Sequence, residues 1–317
     1  AFTSAFVPAY TRLREQAGDI ASRRFQGEIL TLVLISQGLL LIAVMAFTPA
    51  FIRLLAPGFA ATGETMRLAV ELTRLTFPYL ALVTLVVLWT GVLNAERRFV
   101  AGAAAPVLLN LAMISTLLLA GSFASAAHAA AWGVLIAGVL EAALLLVAAK
   151  RAGLIAWPAR PKLDAEMRAF LKAFGPAVIG SAGVQIAMLA DTILVTFLPA
   201  GGASSLYYAD RLYQLPIGVI GVAAGTVLLP EMSKRIAGGD EAGAHRAQNR
   251  SLAISLLLAV PFAIVFFMIP EAIIAGFFGY GAFGASAIKA AAGVLAAYAI
   301  GLPAIVAIRS LVASFHA

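Results

Sequence analysis

The sequence predicts an all-α polytopic membrane protein. Of its 317 residues, 62% are hydrophobic and only 12% are charged, which lies far outside the composition of an ordinary soluble domain. Apolar stretches recur along the chain, each long enough to cross a hydrocarbon core of about 30 Å as a helix. Because a lipid-exposed segment must satisfy its own backbone hydrogen bonds, and the alternating pattern of a β-barrel does not occur, we expect helices.

Hydropathy divides the chain into eight candidate spans. They lie near residues 30–50, 68–94, 104–121, 129–149, 171–198, 204–231, 251–270 and 289–312. Lys and Arg test this division, since cytoplasmic loops carry most of the basic residues of a membrane protein. Sixteen of the 22 basic residues precede the first span or follow the second, fourth and sixth spans, whereas the intervening loops carry three. Every second loop is therefore basic, and both ends of the chain are expected on the cytoplasmic side.

The chain also aligns with itself at an offset of 222 residues. This offset places residues 1–19 on 223–241, brings Pro8 onto Pro230 and lays the first span over 251–270. Identity is low, but helix order, loop charge and topology agree, as in transporters built from parallel repeats. The expected architecture is two six-helix lobes around a central cavity, to which this chain contributes eight transmembrane helices.

The longest basic connector separates the two expected lobes. We assign residues 1–150 to the N-terminal lobe, residues 151–170 to a cytoplasmic connector and residues 171–317 to the C-terminal lobe. The chain begins without a methionine, and the repeat predicts counterparts both before its first residue and after its last. We therefore expect a fragment that lacks the first span, most of the second and the last helices of a protein with at least twelve spans.

Charged residues within the spans locate the expected substrate site, because a charge at the bilayer centre costs roughly 2.5–3.5 kcal/mol. Three basic residues remain once the loops are counted, namely Arg74, Arg211 and Arg309. Arg309 lies near the cytoplasmic end of its helix, and we expect it to snorkel to the interface. Arg74 lies one turn from Glu71, so a local ion pair near the outer interface explains it as well as a binding role does.

Arg211 is the strongest candidate for a substrate contact. Asp191 and Arg211 are equidistant from the tight turn that joins spans five and six, so both are expected about 12 Å below the outer surface. Mutual neutralisation is one explanation, but Asp210 adds a third charge, and a water-filled cavity accounts for all three. Pro216 removes a backbone hydrogen bond nearby and, with Gly218, is the expected hinge.

Several motifs resemble the MurJ (MviN) lipid II flippase family. The longest is YYADRLYQLPIGVIGVAAGTVLLP at residues 207–230, and LAPGF (55–59), TFPYL (76–80), GVLNAERRF (91–99) and AWGVLIAGVLE (131–141) support it. The resemblance runs along essentially the entire chain. It implies the fold of the multidrug/oligosaccharidyl-lipid/polysaccharide exporter superfamily, with two six-helix lobes and two further C-terminal helices, and transport rather than catalysis.

The resemblance also implies a substrate and a location. Members of the family are expected to move lipid II, an undecaprenyl-pyrophosphate-linked disaccharide pentapeptide, from the inner to the outer leaflet of the bacterial cytoplasmic membrane by alternating access. The family's cavity carries essential arginines, one of them in the YYADRL motif, which matches Arg211. The others belong to the first two helices and cannot be carried over, so we expect this piece to be inactive alone.

A site hypothesis follows from the resemblance and from the chemistry of these residues. Arg211, with Arg74 as a helper, would hold the pyrophosphate, because a guanidinium presents fixed donors that match phosphate oxygens. Asp191, Asp210 and Glu71 are charge partners of the arginines or ligands of a coupling cation, sodium or proton. An inside-negative membrane potential favours outward movement of an anion by about 2.3 kcal/mol per charge per 100 mV, and no ATP-binding motif occurs.

Other functions stay open at this point. A drug/cation antiporter of the same superfamily shares the fold but favours cavity carboxylates, and an exporter of another polyprenyl-linked oligosaccharide shares the arginines as well. A polyprenyl-phosphate membrane enzyme should show clustered Asp, Glu or His with magnesium-binding spacing, which is not evident. The chain has no cysteine and only three scattered histidines, so we expect no bound metal or organic cofactor. The net charge of +7 reflects topology and gives no reason to expect nucleic acid.

Overall fold

The computed structural model is all-helical over the part of the chain that it describes. It describes residues 2–61, 63–199 and 201–315, and gives only the backbone of residues 60–61, 184, 187, 221–233, 236–237, 241, 309–310 and 312–315. Within these ranges there are eleven α-helices and no strand. The prediction of an all-α chain is therefore confirmed for the described residues.

The helices follow one another with short connections. In chain order they are α1 (Phe2–Ala46), α2 (Thr48–Leu55), α3 (Gly63–Thr76), α4 (Pro78–Ala95), α5 (Val100–Leu118), α6 (Ala126–Arg151), α7 (Ala165–Val195), α8 (Gly202–Ala237), α9 (Glu241–Met268), α10 (Pro270–Phe278) and α11 (Ala285–Phe315). Proline begins α4 and α10, where its missing N–H breaks no helical hydrogen bond.

Seven described segments are long and apolar enough to cross a membrane. They are Phe2–Ala46, Gly63–Ala95, Val100–Leu118, Ala126–Arg151, Ala165–Val195, Ala242–Met268 and Ala285–Ile308. Each overlaps one of the eight predicted spans, which supports a multi-pass membrane protein. The remaining predicted span, 204–231, falls within α8, whose side chains at 221–233 lie outside the described ones. The number eight stays a prediction.

Packing divides the chain into two compact units, one ending at Phe197 and the other beginning at Leu198. In the first unit, α4 and α5 pack on α6, while α4 and α7 pack on α1. In the second unit, α8, α9 and α11 pack on one another and α10 packs on α11. The division by packing thus falls after α7, although the sequence assigned α7 to the C-terminal lobe. The lobe boundaries remain a prediction.

A break at Gly18 divides α1 into two helical stretches. Its φ of +81° and ψ of −174° are non-helical and are readily reached only by glycine. Aromatic rings join the two stretches to α7, since the Phe25 ring lies 6.0 Å from the ring of Phe6 and 6.0 Å from that of Phe170. All three side chains are at least 96% buried. These contacts explain why α7 belongs to the first unit.

The predicted cytoplasmic connector is bound to α1. The Gln26 side-chain amide donates to the Leu154 carbonyl at 3.1 Å, and the Ala159 N–H donates to the Gly27 carbonyl at 3.1 Å. A Cβ on Gly27 would overlap the Trp157 carbonyl oxygen, so only glycine lets the connector approach this closely. The connector is therefore a packed part of the first unit and not a free linker.

Helix boundaries in the two units follow the offset that the sequence predicts. The ends of α1 and α9, Ala46 and Met268, are 222 residues apart. The same separation relates the first residues of α2 and α10, and those of α3 and α11. A glycine with positive φ lies shortly before the matched stretches in both units, although these two glycines are 221 residues apart: Gly18 precedes the second stretch of α1, and Gly239 precedes α9. The local structure thus repeats where the sequence aligns with itself.

The contact at Gly27 yields a stability prediction. We expect Gly27→Ala to lower the free energy of unfolding by about 1–3 kcal/mol, because the new methyl group forces the connector away from α1. The matched control is Gly38→Ala in the same helix, where a Cβ meets nothing within 4 Å. The control should be neutral or stabilising by up to about 1 kcal/mol, since alanine favours helix over glycine. Denaturant unfolding in mild detergent measures the free energy of unfolding of both variants. Equal changes in the two variants would mean that the close contact at Gly27 does not contribute to stability.

Candidate substrate site

Helix α8 has one buried face and one exposed face. Ala209 and Leu212 are 0% and 3% exposed and belong to the second unit's core, together with residues of α11 such as Leu295. Tyr207 and Arg211 are exposed and lie one turn apart on the other face. The sequence YYADRL thus places its arginine away from the core of the second unit.

Arg211 is bound by its own helix. Its Nη2 donates to the Tyr207 hydroxyl at 2.9 Å, and its Cζ lies 4.7 Å from the centre of the Tyr207 ring. This cation–π contact holds the guanidinium without neutralising it. The ion pairs described in this unit join Asp240 to Arg235 and Arg246, and none of the described pairs there includes Arg211.

Asp210 and Arg211 do not pair with each other in the structure. Asp210 accepts a hydrogen bond from the Gln214 side-chain amide, one turn further along α8. Successive helical residues point about 100° apart, so adjacent opposite charges reach different neighbours. The expectation that Asp210 supplies a nearby carboxylate to Arg211 therefore finds no support in the described contacts.

Asp191 and Arg211 belong to different units. Asp191 lies near the end of α7, where its side chain is exposed. The predicted pairing of these two residues across the turn between α7 and α8 stays a prediction. Arg309, which the sequence expects to snorkel, has a side chain outside the described ones.

Arg74 and Glu71 lie on α3 but have separate partners. The Arg74 Nε donates to the Thr48 hydroxyl at 3.2 Å, whereas Glu71 lies 3.8 Å from both Arg67 and His128. Arg74 and Glu71 therefore do not form the predicted local pair. Arg74 has its partner at the junction of α1 with α2, and Glu71 has partners on α3 and α6. The contact to Thr48 uses only Nε of Arg74, so both Nη groups remain available to an anion.

The expected hinge residues lie within an unbroken helix. Pro216 is buried and Gly218 is half-buried, and α8 continues through both. Proline has no N–H, so the Leu212 carbonyl lacks its usual helical donor, which favours bending at this point. A Cβ on Gly218 would meet no described atom within 4 Å, so close helix packing does not explain this glycine. The hinge itself stays a prediction.

A buried carboxylate and an ion pair of the first unit lie outside the sequence predictions. Glu141 of α6 is 3% exposed and accepts a hydrogen bond from the Tyr79 hydroxyl at 3.5 Å. Arg14 Nε lies 2.7 Å from Glu96, which joins the first stretch of α1 to the turn after α4. Glu141 stands alone in a hydropathy window of apolar residues, so only an inspection of each charge within the spans would have found it.

Known proteins of one family match this chain along its whole length. The family model described as Lipid II flippase MurJ matches residues 1–317. A protein of Rhizobium meliloti (strain 1021) named "Probable lipid II flippase MurJ" is 38% identical over 100% of this chain and 60% of its own length. A protein of Burkholderia cenocepacia named "Lipid II flippase MurJ" is 31% identical over 100% of this chain and 62% of its own length.

A solved structure agrees in fold. The structure titled "Lipid II flippase MurJ, inward closed conformation" matches with a TM-score of 0.80 at 24% identity, covering 99% of this chain and 65% of that one. At this identity the match shows the fold alone. The chain spans about 60% of the length of the curated relatives it matches.

The contact between Arg74 and Thr48 yields a second prediction. Thr48 is fully buried and its hydroxyl also donates to the Val44 carbonyl, so Thr48→Val removes both bonds at nearly constant volume. In a double-mutant cycle with Arg74→Gln, we expect a coupling of about 1 kcal/mol in the free energy of unfolding.

The matched control for this cycle is Thr84→Val. The Thr84 hydroxyl donates only to Leu80 of its own helix, so it should show no coupling with Arg74→Gln. A coupling near zero for Thr48 as well would mean that the bond to Arg74 contributes nothing to stability.

Proposed function

We propose that this chain, which belongs to the lipid II flippase MurJ family, is part of a flippase that moves lipid II from the inner to the outer leaflet of a bacterial cytoplasmic membrane. The family match over residues 1–317 and the names of the relatives support this proposal. Because the chain spans about 60% of those relatives, the activity is a property of the longer protein. Both ends of the chain are proposed to face the cytoplasm.

One observation supports Arg211 as a substrate contact more than any other. It is an exposed guanidinium on a helix of a membrane protein, held by an aromatic ring and by no described carboxylate of its unit. Its positive charge is therefore available to an anion. The substrate's pyrophosphate offers oxygens in the geometry that guanidinium binds in a bidentate manner.

The other charged residues take supporting roles in this proposal. Arg74, fixed at Nε by Thr48, directs its remaining donors to the same anion as a helper. Asp191 is the proposed charge partner of Arg211 when the substrate is absent, and Asp191, Asp210 and Glu71 are the proposed ligands of a coupling cation, sodium or proton. Membrane potential supplies the direction, since an anion moving outward gains about 2.3 kcal/mol per charge per 100 mV.

Alternating access requires two bodies that move against each other. We propose two six-helix lobes related by the 222-residue repeat, with the central cavity between them. The matched ends of α1 and α9 and the matched starts of α3 and α11 support the repeat. Pro216 and Gly218 are proposed as the hinge of α8, because proline weakens the helix there and Gly218 carries no packing constraint.

Replacement of Arg211 tests the function directly. In cells depleted of their own flippase and expressing the intact protein, we expect Arg211→Ala to reduce lipid II at the outer face by about tenfold or more, because a charge-assisted contact to pyrophosphate is lost. Arg211→Lys should retain partial activity, since it keeps the charge but not the bidentate donors.

Arg246→Ala is the matched control for Arg211→Ala. Its side chain is 73% exposed near the start of α9, outside the predicted spans, so translocation should be unchanged. Protein level and membrane insertion are measured for every variant. Undiminished translocation by Arg211→Ala at a normal protein level would remove Arg211 from the substrate site.

A further inference from the structure

A small, mostly apolar cavity lies within the first unit. It measures about 280 Å³ and is bounded mainly by α4, α5 and α6, with Thr3 of α1 at its edge. Most of its walls are apolar, including Val83, Val86 and Leu109. Glu141 of α6 also lines it, and none of the roles proposed above involves this carboxylate.

Glu141 is a buried carboxylate without a basic partner. It is 3% exposed, and the one described hydrogen bond to it comes from the Tyr79 hydroxyl at 3.5 Å. The described ion pairs of this unit do not include it. Gly138, one turn earlier on α6, makes room for Tyr79, because a Cβ there would lie 2.6 Å from the ring. When ionised, this carboxylate needs compensation from something other than a protein cation.

Thr90 of α4 contributes a hydroxyl to the same cavity. Threonines elsewhere in these helices, such as Thr84 and Thr116, donate back to the carbonyl four residues earlier. No such bond is described for Thr90, which lines the cavity and lies against Gly102 of α5. Its oxygen is therefore available to a ligand in the cavity.

Pro106 frees a backbone oxygen in the cavity wall. Because proline has no N–H, the carbonyl of Gly102, four residues earlier in α5, lacks its helical donor. Both residues line the cavity. A Cβ on Gly102 would lie 2.7 Å from the methyl group of Thr90, so α4 and α5 approach closely at this point. Glu141, Tyr79 and Thr90 thus contribute oxygen-bearing side chains to the lining of one small cavity, and Gly102 in the same lining has a carbonyl without its helical donor.

We propose that this cavity is a binding site for a monovalent cation, with Glu141 as its charged ligand. Oxygen donors of this kind suit hard cations, and transporters use carbonyls freed from broken helices to bind Na⁺. One carboxylate neutralises one positive charge, which favours a monovalent ion over a divalent one. The site is separate from Asp191 and does not depend on the proposed flippase function.

Sodium-dependent stability tests this site on the intact protein in detergent. We expect NaCl to raise the unfolding temperature above its value in choline chloride at equal ionic strength, because a ligand that binds only the folded state stabilises it. Glu141→Gln should weaken sodium binding, measured with ²²Na⁺, by roughly 10–100-fold and abolish the shift in unfolding temperature. Thr90→Val, which keeps the shape of the side chain, should weaken binding to a smaller extent.

Glu64→Gln is the matched control, since Glu64 is an exposed carboxylate of the same unit. It should retain the full sodium shift, because Glu64 does not line the cavity. A Glu141→Gln variant that keeps the full sodium-dependent shift in unfolding temperature would overturn the proposal. So would a wild-type protein that is equally stable in sodium and choline, because Glu141 would then be a neutral carboxylic acid bonded to Tyr79.

Discussion

Hydrocarbon does not solvate charge, and this constraint decides where a chain with 62% hydrophobic residues can place a charged side chain. Burial within the protein imposes a similar constraint, and charged groups near the predicted cytoplasmic ends of the first unit's helices meet it by pairing. Glu28, 1% exposed, lies 3.0 Å from Arg24, and Arg14 lies 2.7 Å from Glu96. The pair between Arg14 and Glu96 also joins α1 to the end of α4, so this ion pair contributes to helix packing. A charge within a span that has no such pair requires water or a ligand.

The proposed functions rest on the two charges that depart from this rule. Arg211 faces away from its unit's core and is held by the ring of Tyr207, which orients the guanidinium and leaves its charge available. Glu141 lines a small, mostly apolar cavity and has Tyr79 as its described partner. One site is suited to an anion and the other to a cation. A tyrosine hydroxyl contacts the charged group in each, which orients the group without neutralising it.

Much of the fold was predictable because hydropathy and the spacing of basic residues reflect the membrane directly. Seven of the predicted spans coincide with described segments, and the 222-residue offset recurs in helix boundaries. The sequence predicted less well which charged residues pair with each other. Glu71 has possible partners both on its own helix and on α6, and the sequence cannot rank Arg67, His128 and Arg74. The contact of Gly27 with the connector depends on backbone approach, which leaves no signal in residue periodicity.

The central claim is that the Arg211 face of α8 is hydrated, and thiol accessibility tests it most directly. The chain has no cysteine, so a single cysteine at position 207, 211 or 215 reports on this face without other thiols of the chain. If this face is hydrated, a membrane-impermeant thiol reagent modifies cysteines at positions 207 and 211 in the intact protein in membranes, while a cysteine at buried position 212 stays unmodified. Modification of positions 207 and 211 only by a lipid-soluble reagent would place this face in hydrocarbon and contradict the account.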